Sequence, residues 1–175
     1  LMRRRIRRIL LICSSYDAYT LEEDGRLEVQ LNHEYMELNL SNPPSFTRVS
    51  SSTEALELLQ GENDFDLVIS MFNVGDLDVF HFSKQLKALH PEIPFVLLTN
   101  FSKDIYRRIE GEDRSAIDYI FSWHGNADLI LAIVKLIEDR MNADDDILGV
   151  GVQSILLVED SIRYYSTYLP AIYKL

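Results

Sequence analysis

An α/β fold built on a five-stranded parallel sheet is what this sequence predicts, and three observations predict it. Five short apolar runs recur along the first 125 residues. Five amphipathic stretches alternate with them, the pattern of strands joined by crossover helices. The third and fourth runs, "FDLVISMF" and "IPFVLLTN", are apolar throughout, as strands covered on both faces must be. Right-handed crossovers leave few topologies, and a three-layer sandwich with strand order 2-1-3-4-5 leads among them.

Each element has its own signal. "RRILLIC" reads as a buried strand. "LEVQLNHEYMELNL" places Leu27, Leu31, Tyr35 and Leu38 at helical spacing. "NPPS" is expected to stop that helix, because proline lacks the backbone donor. "FTRVSS" is the second strand. "STEALELLQG" opens on a hydroxyl cap, carries Glu54 in its first turn and ends at Gly61. After the third strand, "DVFHFSKQLKALHP" is a helix, and "SKDIYRRIEGE" is a shorter one behind the fourth strand. "AIDYIFSW" is the fifth strand, and "NADLILAIVKLIEDRM" a strong helix capped by Asn126. The order expected is flavodoxin-like. Such sheets place chemistry at the C-terminal strand ends, here Cys13 to Ser15, Met71 to Asn73, Thr99 and Asn100, and Ser122 and Trp123.

Composition excludes several classes. The chain has 175 residues and a net charge of −11, which disfavours a broad nucleic-acid surface. Arg3, Arg4, Arg5, Arg7 and Arg8 cluster ahead of the first strand and read as a solvated leader. One cysteine, Cys13, leaves no internal disulfide and fits a reducing compartment. No apolar run reaches the ~18 residues of a membrane span. The expectation is a cytoplasmic protein without membrane contact. Cys13 at the end of a buried strand reads as a small core residue. Ser122 and His124 lack a third group to make an activated pair. His33, His81 and His90 show no metal-ligand spacing, and Gly149 to Gly151 opens no helix and so forms no phosphate loop.

The chain repeats itself. "ILLICSS" at Ile9 returns as "ILLVEDS" at Ile155, 146 residues on, about one domain length. Between them "NADDDILGVGVQ" reads as a linker. The expected division is a first domain over 1–142, a linker over 143–153, and the first strand and helix of a truncated second domain over 154–175.

These words resemble the receiver domain of two-component response regulators, over roughly residues 8–141 and again from Ser154. "DLVISMFNVGDLD", "IPFVLLTN" and "SAIDYIFSW" carry the likeness. In that family the run matching "DLVI" leads to a phosphate-accepting aspartate; here it leads to Met71. Thr99 matches the phosphate-sensing hydroxyl, and Tyr119 the switch aromatic. Where the family has a lysine and then a proline, Ser122 and Trp123 stand. Where it has two magnesium-binding acids, Cys13 and Ser14 stand. Acids, acceptor and lysine are thus absent together, which is physically coherent: clustered carboxylates need a cation, and a lysine left without them is a poorly paired buried charge. The second copy keeps the acids as Glu159 and Asp160. The long first connection, from Tyr16 to about Arg26, also departs from the family.

The resemblance implies a pseudo-receiver: a non-phosphorylatable, non-enzymatic module of a bacterial two-component or phosphorelay protein. It implies no cofactor, with magnesium expected only in a complete second receiver. Its partners would be other signalling proteins, neighbouring domains of a longer chain, or a second copy, met through a face carrying Tyr106, Arg107, Tyr119, Trp123 and Lys135. Two alternatives stand beside it: phosphorylation of a displaced aspartate, Asp76 or Asp78, or a small-molecule sensor using the vacated pocket. "ICSSYDAYTLEEDGRL", a degenerate receiver followed by a second, also looks like the N-terminal region of long bacterial proteins with a phosphoenolpyruvate/pyruvate-binding dikinase-like module. The C-terminal strand and helix are expected to dock on their own domain or on a neighbouring chain.

Overall fold

The computed structural model describes residues 3–23, 27–61, 64–76, 78–100, 102–125 and 127–175, the side chains of 20–23 excepted. Along the chain run β1 (Arg8–Ile12), α1 (Ser15–Glu23), α2 (Leu27–Glu37), β2 (Ser45–Val49), α3 (Ser52–Gln60), β3 (Leu67–Met71), α4 (Val79–Leu89), β4 (Phe95–Thr99), α5 (Lys103–Gly111), β5 (Tyr119–Ser122), α6 (Ala127–Val150) and α7 (Ile162–Tyr173). The five strands form one parallel sheet of order β2-β1-β3-β4-β5. β3 and β4 are buried at every position, as their uninterrupted apolar runs require. α2 packs on α6 on one face. On the other, α3 meets α4, and α4 and α5 close a second cluster around Leu97.

Local chemistry sets the element ends. Ser51 caps α3 by accepting the Glu54 amide at 3.1 Å, while the Glu54 carboxylate reaches back to the Ser50 amide at 2.9 Å, a reciprocal cap. α2 stops earlier than the prolines suggest. Asn39 adopts φ +52°, and the Leu40 amide bonds back to the Tyr35 carbonyl at 2.7 Å. A left-handed residue closed by this backbone bond ends the helix before Pro43 is reached. α1 occupies most of the long first connection, where no helix was expected. The expected cap at Asn126 lies outside the described residues.

The division into domains changes most. α6 continues to Val150, through most of the expected 143–153 linker. No proline interrupts it, and Arg3 meets Asp145 at 3.8 Å, relieving one of three aspartates near a helix C-terminus. Gly151, at φ +74°, then turns the chain out of the helix. The strand expected over 154–158 does not form. It pairs with no strand among the described residues; Ile155, Leu156 and Val158 stay 82–87% exposed, while Leu157 is partly buried against the main core. α7 does form, and it docks on its own domain. It packs against β5 and α6, stacking Tyr165 on Phe121 and burying Leu169. No helix among the described residues is long and apolar enough to cross a membrane.

Two polar clamps hold the N-terminal arm. Glu138 accepts the Ile6 amide at 3.0 Å, and Asn142 accepts the Arg3 and Arg4 amides and donates to the Arg4 carbonyl. Asp66 accepts the Arg7 and Arg8 amides at 2.8 and 2.9 Å. The arginine-rich leader is therefore fixed by its backbone.

Candidate functional site at the strand ends

Four adjacent strands end in a row. Ile12 pairs with Ser70, Met71 with Leu98 and Thr99 with Ser122, so Cys13, Met71, Thr99 and Ser122 line up across the sheet. All four are buried: none exceeds 7% exposure. These buried side chains stand at the strand ends where the resemblance puts a phosphorylation site.

Each has a defined local role. The Cys13 amide donates to the Val49 carbonyl at 3.1 Å. Burial pushes the Cys13 thiol up to about 11, against the pull of the Arg48 guanidinium. A thiol so held is not a thiolate at neutral pH and is a poor nucleophile. Ser14 starts α1: its hydroxyl accepts the Asp17 amide at 3.1 Å and donates to the Asp17 carboxylate at 2.6 Å. The Thr99 hydroxyl donates to the Asn100 carbonyl at 3.3 Å. The Ser122 amide donates to Ser166 Oγ of α7 at 2.8 Å, and its hydroxyl pairs with His124 Nε2 at 3.1 Å. The Trp123 amide takes the Thr99 carbonyl instead, at 2.9 Å.

The row contains no carboxylate, whereas a hard divalent cation requires oxygen ligands. Nearby acids are already engaged. Asp76 accepts the Ser52 amide and hydroxyl at 3.2 and 3.1 Å. Asp78 caps α4, accepting the Phe80 and His81 amides at 3.1 and 3.4 Å. Glu159 accepts the Ser161 amide at 2.9 Å, so it serves the turn before α7 rather than a strand end. With Asp160 it borders a cavity of about 330 Å³ floored by Ile117, Tyr119 and Tyr165.

The expected partner face is only partly assembled. Tyr106 and Arg107 are exposed on α5, and a bond to Glu110 raises the Tyr106 phenol. Tyr119 stacks on Phe121 and lies under the Arg140 guanidinium at 5.7 Å. Trp123 is half-buried against the main core. Lys135 does not belong with them. It bonds Glu138 at 2.9 Å and sits over the Tyr35 ring of α2, on the other side of α6. α7 lies across the β5 edge of that face.

Sequence reading missed the polar clamps. Their signal was present: Glu138 and Asn142 stand four apart on the helix face that carries Leu131, Val134 and Ile137, its buried side. It also missed that His33, Glu34 and Glu37 come together within 4.8 Å. Lys174 of α7 meets Glu34 and Asp128 there, at 2.8 Å each.

No protein-family model matches the chain. A curated relative, the tRNA modification GTPase MnmE of Mycoplasma mycoides, is 26% identical over 157 residues, covering 83% of this chain. The chain spans about a third (34%) of that relative's length. This chain holds no Gly-x4-Gly-Lys-Ser/Thr run, the loop whose backbone amides cradle nucleotide phosphates in P-loop proteins. Among solved structures, the response regulator TrrA of Thermotoga maritima, bound to magnesium and beryllofluoride, superposes with a TM-score of 0.56. It is 20% identical, covering 75% of this chain and 99% of that one. A streptococcal protein described as a redox sensor evolved from two-component response regulators superposes with a TM-score of 0.59, at 18% identity, covering 90% and 59%. With the strand order, these likenesses define the class: a flavodoxin-like α/β sandwich of the receiver type. Its structural neighbours are receiver domains of response regulators.

Proposed function

We propose that this chain is a signalling module that keeps the receiver scaffold and acts through protein contacts without accepting a phosphoryl group. One observation carries the reading. The position that ends β3, where a receiver presents its acceptor, is a buried methionine, Met71. A thioether cannot form an acyl phosphate. The remaining strand ends offer a thiol and two hydroxyls, with no carboxylate pair to hold magnesium. Asp76 and Asp78, the candidates for a displaced acceptor, are committed to Ser52 and to the α4 cap. Partners of the module are other signalling proteins or adjoining domains. The repeated "ILLVEDS" is read as the start of a second receiver. Glu159 and Asp160 would take magnesium once a complete sheet holds Ile155 to Val158 at its centre.

The redox description of one neighbour raises Cys13 as a sensor, and its burial and raised pKa argue for a core role. A small-molecule sensor at the vacated pocket meets the same obstacle, since Cys13, Met71 and Thr99 are buried. The test is intact-mass spectrometry after incubation with acetyl phosphate or phosphoramidate and Mg²⁺. No adduct is expected. An adduct mapped to Asp76 or Asp78 overturns the proposal and makes the chain a phosphorylated switch.

A further inference from the structure

Away from the strand ends, metal-ligating side chains converge on α2. His33, Glu34 and Glu37 each bring one ligand atom within 4.8 Å of the others. His33 and Glu37 stand one turn apart, with Nδ1 and Oε1 at 3.5 Å. That separation is close to the ~3.4 Å edge of a tetrahedral zinc site, whose metal–ligand bonds are about 2.1 Å. Asp128, at the start of α6, lines the same cavity of about 550 Å³ as Gln30, His33 and Glu34. Two of these acids already hold a cation. The Lys174 ammonium lies 2.8 Å from Glu34 and 2.8 Å from Asp128. It serves Glu34 only in part. Glu34 Oε2 is closed to solvent and accepts no hydrogen bond, so the ammonium meets it as a charge and nothing more. Three carboxylates against one ammonium leave negative charge in excess among these groups, an arrangement that favours a further cation.

We propose that His33, Glu34 and Glu37 form a binding site for a divalent transition-metal ion of the zinc type, and that the ion displaces Lys174 from Glu34. The donor set selects the class of metal. Magnesium and calcium take oxygen ligands throughout, whereas an imidazole beside carboxylates suits zinc and its neighbours. The side chains of His33 and Glu37 are 64% and 59% exposed, so water completes the fourth position. Glu34 is the inner ligand, its side chain only 17% exposed. A metal bond there gives its enclosed carboxylate the partner that Lys174 supplies only as a charge. The ion and the last residues of α7 therefore compete for one carboxylate. Where α7 belongs to a complete second receiver, as proposed above, Lys174 departs and the ion takes over the charge of Glu34. No strand-end residue takes part, so failure of this site leaves the proposed function standing.

The test is a Zn²⁺ titration of the full chain in competition with a chromophoric zinc indicator. One equivalent is expected to bind, with at least a tenfold loss of affinity in His33→Ala and in Glu37→Gln. Both side chains are exposed, so neither change threatens folding. His81→Ala, outside the cluster, is expected to leave the affinity unchanged. Lys174→Met removes the competing ammonium and is expected to strengthen binding at least threefold. Proton NMR then locates the ion: the His33 ring resonances shift on adding Zn²⁺, those of His81 and His90 stay in place, and Mg²⁺ moves none of them. Zinc binding that His33→Ala and Glu37→Gln leave intact is adventitious and overturns the site. Absence of binding in both the parent chain and Lys174→Met overturns it as well. Equal affinity in those two chains overturns the displacement of Lys174.

Discussion

The chain writes one apolar word twice, and the two copies meet opposite fates. Ile9 to Ile12 form β1, between β2 and β3, with none of the four more than 1% exposed. Ile155 to Val158 form no strand, and all but Leu157, which rests partly buried on the core, are exposed. The side chains are nearly the same; the neighbours differ. A parallel strand has no hydrogen-bond partners of its own and no apolar face to meet unless other strands and helices supply them. The lesson is that an apolar run states what a segment can become, and its flanking strands determine whether it does. β1 has a further advantage. Its approach is held by Glu138, Asn142 and Asp66 through backbone amides of residues 3–8. The second copy is approached from Gly151 through an exposed tether.

The comparison breaks most readily by truncation. Leu10→Ala removes a fully buried side chain and is expected to cost about 2–5 kcal/mol. Leu156→Ala is expected to change stability by less than about 0.5 kcal/mol. Urea unfolding of the two variants checks both. Equal losses would mean that the second run is packed after all.

The clamp comes next. Glu138→Ala leaves the Ile6 amide and Lys135 without their carboxylate, an expected loss of about 1–3 kcal/mol. Hydrogen exchange should then show the residues just before β1 opening ahead of the sheet. Uniform opening would show that the arm is held by packing alone.

A smaller effect is expected where α7 meets β5. Ser166→Ala removes the acceptor for the Ser122 amide, at about 1 kcal/mol. Amides of α7 should lose protection while those of β3 and β4 keep theirs. A Tm unchanged by this substitution would mean that α7 is seated by its aromatic and ionic contacts only.

The last effect, absent at neutral pH, is a slope with pH, and it sharpens the comparison at one position. Cys13 ends the first run and Glu159 the second. Burial raises the Cys13 pKa from 9.0 to about 11, so the folded state keeps its proton where the unfolded chain has lost it. That contribution is complete below about pH 9 and disappears as pH rises toward 11. Cys13→Ala should flatten the fall in stability over that window relative to the parent chain. An identical alkaline profile would show that the thiol is solvated in the folded protein.

Much of the fold was legible. The apolar runs of β3 and β4, the cap at Ser51 and Glu54, and the alternation of element types all act within a few residues, and they led to the strand order found. The strand-end row was legible as well, because register in a parallel sheet follows once the strands are in order. α1 was missed because Ser14 and Asp17 make a cap that looks like loop polarity. The α2 stop was misplaced because Asn39 adopts a left-handed turn that asparagine permits but does not announce. Lys135 was assigned to the wrong side because helical periodicity gives a residue's angle around α6 without saying which neighbour lies there.

By itself, then, the sequence determined the receiver-type sheet and the residue types at its strand ends, since propensity, periodicity and crossover handedness are local or nearly so. Only the tertiary structure decided that α6 runs on to Val150, that Glu138 and Asn142 hold the leading arm, and that α7 lies over β5 while most of the repeated "ILLV" stays in water. Each of those outcomes depends on contacts between residues distant in the chain, and a repeated word carries no record of which neighbours will be present to receive it.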